Sequence, residues 1–230
     1  MLKTQIKDSL LILELDDQES YNAFSPAMAA EFHKQLQENT YKAVYLTSNG
    51  HKSIFCSGGN LSFYKNLETR DEGLEHNDKI RFILNEFKSL KVPKVCYVNG
   101  TVLGGGIELI SCFDRILASP HSLFGLWQRR IGLTYGWGGE KRLLQRISKS
   151  KLEQWLFQAS TKSVYEAKEI GLVDEICLSN QAIAASNRWI DNVCSQGIES
   201  FEKIKSHEDP SKAFQALWLS EKHKKVLKKF

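Results

Sequence analysis

Val98-Asn99-Gly100-Thr101-Val102-Leu103-Gly104-Gly105-Gly106-Ile107-Glu108-Leu109-Ile110 is the stretch on which the reading of this chain turns. The apolar run Val95 to Val98 reads as a strand, Asn99-Gly100 as a turn, and the three glycines as a second turn that opens a short apolar helix. Glycine has no Cβ, so a ligand can approach its N–H closely, and a helix that begins just after the turn aims its positive dipole end at an anion. A second cluster, Phe55-Cys56-Ser57-Gly58-Gly59-Asn60-Leu61, follows another strand. Two such turns can present two N–H donors to one oxygen, an oxyanion hole in which each donor is worth about 2.7–4 kcal/mol of transition-state stabilisation. Taken alone, either cluster reads equally well as a tight turn.

Outward from this stretch, strands alternate with helices. Leu10 to Leu15 is a strand, Ser25 caps a helix that starts at Pro26 and runs to about Asn39, and Ala43 to Thr47 is a buried strand. His76 to Leu90 predicts a helix with Ile80, Ile83, Leu84 and Phe87 on one face, and Arg115 to Ala118 a strand. From Gly139 onward no strand is expected, and helices are predicted at Lys141–Ala159, Val164–Ile170, Ala182–Cys194 and Ala213–Lys228. The fold class is therefore α/β, with a core over residues 1–180 and a short helical C-terminal segment over 181–230.

The 230 residues are 42% hydrophobic, 25% charged and 10% aromatic, the profile of a globular protein large enough to bury a core. The net charge of +4 suits a small anionic ligand and falls short of the imbalance usual in nucleic-acid binders. Cys56, Cys96, Cys112, Cys177 and Cys194 are widely spaced, which suggests neither a disulfide framework nor a zinc site. His33, His51, His76, His121, His207 and His223 form no metal spacing, so no metal is expected. The apolar run Leu10 to Leu13 is too short for a signal sequence or a span, and a cytoplasmic protein without a membrane segment is expected. No dinucleotide fingerprint, P-loop or G-x-S-x-G elbow is present.

Ser20-Tyr21-Asn22-Ala23-Phe24-Ser25, the Phe55 to Leu61 cluster, Val98-Asn99-Gly100 and Leu103 to Leu109 together resemble the crotonase (enoyl-CoA hydratase/isomerase) superfamily. The likeness continues through Asp114-Arg115, Phe124-Gly125, Ile131-Gly132-Leu133, Gly138-Gly139 and Glu166 to Asp174, covering roughly residues 5 to 180. The resemblance implies a spiral of ββα units that binds an acyl-CoA thioester. It assigns the oxyanion hole to the Gly59 and Gly105 N–H groups and the CoA path to Ala23, Ser57, Gly59, Asn60, Leu61, Ser62 and Gly105. Asn60 stands where the family's usual residue is Asp.

In family hydratases two glutamates face the α,β-bond. Glu108 fills the first position, and Gln128, four residues before Gly132, fills the second. An amide neither takes nor gives a proton at ordinary pH, which puts two-glutamate hydration in doubt. Glu108 is thus the catalytic candidate, although a carboxylate in a first helical turn also suits the dipole without any chemistry. Gln128 either orients water or substrate or is the remnant of a lost acid. Trp127, Arg129, Arg130 and Trp137 surround the site in sequence, and Tyr135 and Glu140 depart from family usage.

The implied function is an acyl-CoA enzyme, a lyase or isomerase that stabilises a thioester enolate, with no cofactor beyond the coenzyme A of its substrate. The Ser57 to Leu61 and Trp137-Gly138-Gly139 pieces are similar to the ethylmalonyl-CoA decarboxylase branch, so decarboxylation of a malonyl-type thioester is the alternative. A non-catalytic CoA-ester-binding member is a further one, against which Glu108 stands. Trp218, Glu221 and His223 to Phe230 resemble the family's final helix, and a homotrimer or hexamer is implied by the resemblance alone. Lys222, Lys224, Lys225, Lys228 and Lys229 face either CoA phosphates or solvent.

Overall fold

The computed structural model describes residues 1–206 and 209–229; His207, Glu208 and Phe230 lie outside the described residues. In chain order the elements are β1 (Leu2–Lys7), β2 (Leu10–Leu15), α1 (Pro26–Glu38), β3 (Ala43–Ser48), β4 (Ile54–Cys56), α2 (Leu61–Tyr64) and α3 (Arg70–Ser89). Then come β5 (Lys94–Val98), β6 (Thr101–Leu103), α4 (Gly105–Ile110), β7 (Arg115–Ala118), β8 (Leu123–Gly125) and a 3-10 turn at Gln128–Ile131. The remainder is α5 (Gly139–Leu143), α6 (Lys149–Gln158), β9 (Thr161–Ser163), α7 (Val164–Glu169), β10 (Glu175–Ile176), α8 (Ser179–Gln196), α9 (Ile198–Lys205), α10 (Pro210–Leu217) and α11 (Glu221–Leu227).

Two sheets share one repeating connection. β3, β5 and β7 enter a six-stranded sheet of order β1-β2-β3-β5-β7-β10, while β4, β6 and β8, which follow each of them, enter a four-stranded sheet of order β4-β6-β8-β9. Within both sheets these repeated strands run parallel, with Tyr45 opposite Val95, Cys96 opposite Ile116, and Leu103 opposite Gly125. Strand, strand, helix therefore repeats as a spiral.

The apolar runs of β3 and β5 are buried on both faces, as parallel strands covered on both sides require. Val44, Leu46, Cys96 and Val98 point into the main core, and the alternate residues Ala43, Tyr45, Val95 and Tyr97 meet Ala182, Ala185 and Ile190 of α8. α8 thus covers the second face of the larger sheet.

Ser25 caps α1 through Met28 N–H at 3.1 Å, with Pro26 in the first turn, as the sequence predicts. Elsewhere the boundaries need correction. α3 begins at Arg70, six residues before the expected His76, because Thr69 and Glu72 form a reciprocal capping box. The helix predicted over Lys141–Ala159 is two helices, α5 and α6. Arg146 anchors the chain between them, donating to the Phe113 and Asp114 carbonyls at 3.1 and 2.8 Å and pairing with Asp174.

The helix predicted over Ala213–Lys228 also breaks, at Trp218 to Ser220, where Leu219 takes a positive φ of 57° and Ser220 caps α11. α8 runs from Ser179 to Gln196, longer at both ends than Ala182–Cys194, and α9 lies where the sequence predicts no helix. Strands do occur after Gly139: β9 and β10 are short and polar, so they carry no apolar signal, and they form by adding to the open edges β8 and β7. β1 likewise pairs along the whole of β2, although five of its six residues lie outside the core.

Candidate active site

The two glycine turns meet through their backbones. Gly58 has φ 97°, and a Cβ there would sit 2.8 Å from Leu103 O and 3.1 Å from Gly105 N, so the close approach requires glycine. Gly104 adopts φ 49° and lies just ahead of α4, whose first residue is Gly105. Among the described residues neither the Gly59 nor the Gly105 N–H donates to a protein acceptor. Both glycines line one cavity of about 450 Å³.

Glu108, in the first turn of α4, reaches the same cavity and is 2% exposed. Its carboxylate lies in a cradle of main-chain donors: Gly136 N–H to Oε1 at 3.1 Å, and Trp137 and Gly139 N–H to Oε2, each at 2.8 Å. Gly139 must be glycine for this fit, since a Cβ would stand 2.9 Å from Glu108 Oε2. Gln128 donates from Nε2 to Glu108 Oε1 at a long 3.4 Å, and its own buried Oε1 has no partner. Burial raises the Glu108 carboxyl above its ordinary value, and the three backbone donors and Gln128 pull it part of the way back.

Of the residues singled out from sequence, Ser57, Gly59, Leu61, Gly105, Glu108 and Gln128 converge on this cavity. Ala23, Asn60 and Ser62 are not among its lining residues: Ala23 is buried, Asn60 caps α2 by accepting from Phe63 N–H at 2.9 Å, and Ser62 is exposed on α2. Trp137, Trp127 and Arg130 line the cavity too, with the Arg130 guanidinium 4.1 Å from the Trp127 ring centroid.

Three site residues escape sequence reading. Asn77 and Tyr64 line the cavity, and Asn77 hydrogen-bonds the Trp137 indole. Arg142, 5% exposed, donates to the Glu108 and Trp137 carbonyls at 3.3 and 2.8 Å and to Ser111 Oγ at 3.0 Å, tying α5 to α4. A single-residue signal for these contacts is absent, because all but the Arg142–Trp137 bond join residues far apart in the chain. Glu108 is the one carboxylate that lines the cavity among the described residues.

A spiral of ββα repeats, with two glycine turns and a buried carboxylate on one cavity, defines an α/β enzyme-like scaffold in which, among the described residues, two main-chain donors without a protein acceptor stand beside a carboxylate. The chain belongs to the enoyl-CoA hydratase/isomerase family, whose model matches residues 5–225. It is 29% identical over 189 residues to ethylmalonyl-CoA decarboxylase of Rattus norvegicus, a match that covers 80% of this chain and 63% of the rat protein. Crotonyl-CoA hydratase of Syntrophomonas wolfei is 26% identical, over 83% of this chain and 74% of that protein. In fold it superposes on an enoyl-CoA hydratase from Bacillus anthracis with a TM-score of 0.86, at 21% identity, over 99% of this chain and 94% of the other. Among the described residues no helix is long and apolar enough to cross a membrane.

Proposed function

We propose that this chain is an acyl-CoA enzyme that forms a thioester enolate and moves one proton through Glu108, as a double-bond isomerase does. The observation that carries this reading is the lone cavity carboxylate beside two unengaged glycine N–H groups, with an amide at Gln128 where a second acid would stand. The thioester oxygen would accept from Gly59 and Gly105 N–H. Glu108 would then take a proton from the α-carbon, the C–H pair would pass into the enolate, and Glu108 would return the proton at the γ-carbon. Negative charge on oxygen would meet donors already in place, which costs no reorganisation. Gln128 would hold the carboxylate rather than activate water.

Decarboxylation of a malonyl-type thioester is a second reading, supported by the likeness to ethylmalonyl-CoA decarboxylase. There the bond from the α-carbon to the carboxylate would break, its electron pair would enter the enolate, and protonated Glu108 would supply the α-proton. In either reading the coenzyme A of the substrate is the sole cofactor, and a homotrimer or hexamer is the expected assembly.

The deciding experiment incubates a panel of enoyl-CoA and malonyl-type thioesters with the protein in deuterated water and reads the products by mass spectrometry. A shifted double bond with deuterium at the α- or γ-carbon supports isomerisation. Loss of carbon dioxide selects decarboxylation, gain of water selects hydration, and no change or exchange in any thioester sinks the enzyme reading.

A further inference from the structure

Asn77 lies on α3, and every polar group of its side chain is engaged within the site. Its Oδ1 accepts from Trp137 Nε1 at 2.8 Å and from the Tyr64 hydroxyl at 3.3 Å, while its Nδ2 donates to Gly73 O, one helical turn back, at 2.7 Å. The last bond fixes the amide so that its oxygen faces the two rings. Those rings back the glycine turns: a Cβ on Gly105 would stand 2.5 Å from Trp137 Cη2, and one on Gly59 would stand 3.6 Å from Trp137 Cζ2 and 3.1 Å from Tyr64 Cε2. The main-chain N–H of Trp137 also holds Glu108. One residue therefore touches both donor turns and the carboxylate, and Asn77 fixes the angle of its ring.

We propose that Asn77 is a positioning residue for this site, setting the Trp137 and Tyr64 rings against the two glycine turns and so the placement of the thioester oxygen between their N–H groups. The inference rests on the acyl-CoA reading above. Small displacements in such a site are costly, since about 1 Å of misplacement lowers a rate by about 10²-fold. A purely structural contact between α3 and the Trp137 loop would alter stability and leave the polarisation of a bound thioester unchanged.

The test uses butyryl-CoA labelled with ¹³C at the thioester carbonyl and reads its bound C=O stretch by difference infrared spectroscopy, with calorimetric binding alongside. In the unmodified protein the stretch is expected to shift to lower frequency. Asn77→Leu should lose at least half of that shift while its Kd changes less than about threefold, and turnover of any thioester found active should fall by about tenfold or more. In a Trp137→Phe background, Asn77→Leu should add less than it does alone, because the two changes break one contact.

Equal shifts in the unmodified and Asn77→Leu proteins overturn the positioning role and leave the acyl-CoA reading standing. Absence of binding by the unmodified protein overturns both.

Discussion

Glu108 and Lys94 are both buried ionisable groups, at 2% and 0% exposure, yet their surroundings differ in kind. Glu108 has main-chain donors on one side and an open cavity on the other. Lys94, at the start of β5, is sealed: its Nζ donates to Lys88 O at 3.3 Å and Leu90 O at 3.1 Å and lies 3.5 Å from Asp114 Oδ2. Lys205 of α9 reaches the same Leu90 carbonyl at 2.6 Å and the same Asp114 oxygen at 3.1 Å, and the Lys88 ammonium stands 4.0 Å from Asp114 Oδ1. Burial pushes the Lys94 ammonium down to about 7, against the pull of Asp114. The difference teaches where chemistry can occur. A buried charge with solvent-accessible space beside it can exchange its proton with a ligand, whereas one closed in by carbonyls and counter-charge has a structural part only, here beside the Lys205 contacts that hold α9 to the core.

The largest effect expected from breaking this contrast is on Glu108. Glu108→Gln keeps an oxygen for the backbone donors, so the fold should persist while proton transfer falls by about 10²–10⁴-fold, measured as deuterium exchange into a thioester. Asp114→Ala should do the reverse, leaving the three clustered ammonium groups of Lys88, Lys94 and Lys205 without their carboxylate. Its expected cost is about 3–5 kcal/mol in urea unfolding, with activity per folded molecule unchanged.

Lys94→Met sharpens the comparison through pH. Between about 7 and its ordinary 10.5 the unfolded chain binds this proton and the folded one does not, so stability rises with pH across that window. The variant should lose that rise, worth at most about 1.4 kcal/mol per pH unit, as read from unfolding at pH 7 and pH 9. The smallest effect is a displaced pH limb. If Glu108 acts as the base, the rate should climb with pH through a midpoint above the ordinary 4.5, and if it acts as the acid the rate should fall through the same midpoint. A midpoint below 4.5 would contradict the burial described for this carboxyl.

Legibility in the sequence followed the range of the interaction. The glycine turns are legible because they sit in short motifs whose spacing is local, while Glu108 and Gln128 are singled out by the family resemblance those motifs carry. The buried faces of α3, β3 and β5 are legible too, since helical and strand periodicity repeat within a few residues. β9 and β10 were illegible because Thr161-Lys162-Ser163 and Glu175-Ile176 gain their conformation from β8 and β7, not from an apolar pattern of their own. Asn77 was illegible for a related reason: its meeting with Trp137 spans 60 positions, and a polar residue on an amphipathic helix carries no mark of such a partner. Arg142, which joins Glu108 O across 34 positions, is the same case.

The polar handling of this site is done mostly by peptide groups: the Gly136, Trp137 and Gly139 N–H groups grip the carboxylate, and among the described residues those of Gly59 and Gly105 meet no protein acceptor. Among the coded amino acids proline alone lacks a peptide N–H, so most codon changes leave these donors in the polypeptide. Side chains around them are therefore at greater liberty to change while the main-chain donors remain. A scaffold of this kind keeps its main-chain donors through substitutions that remake the side chains beside them.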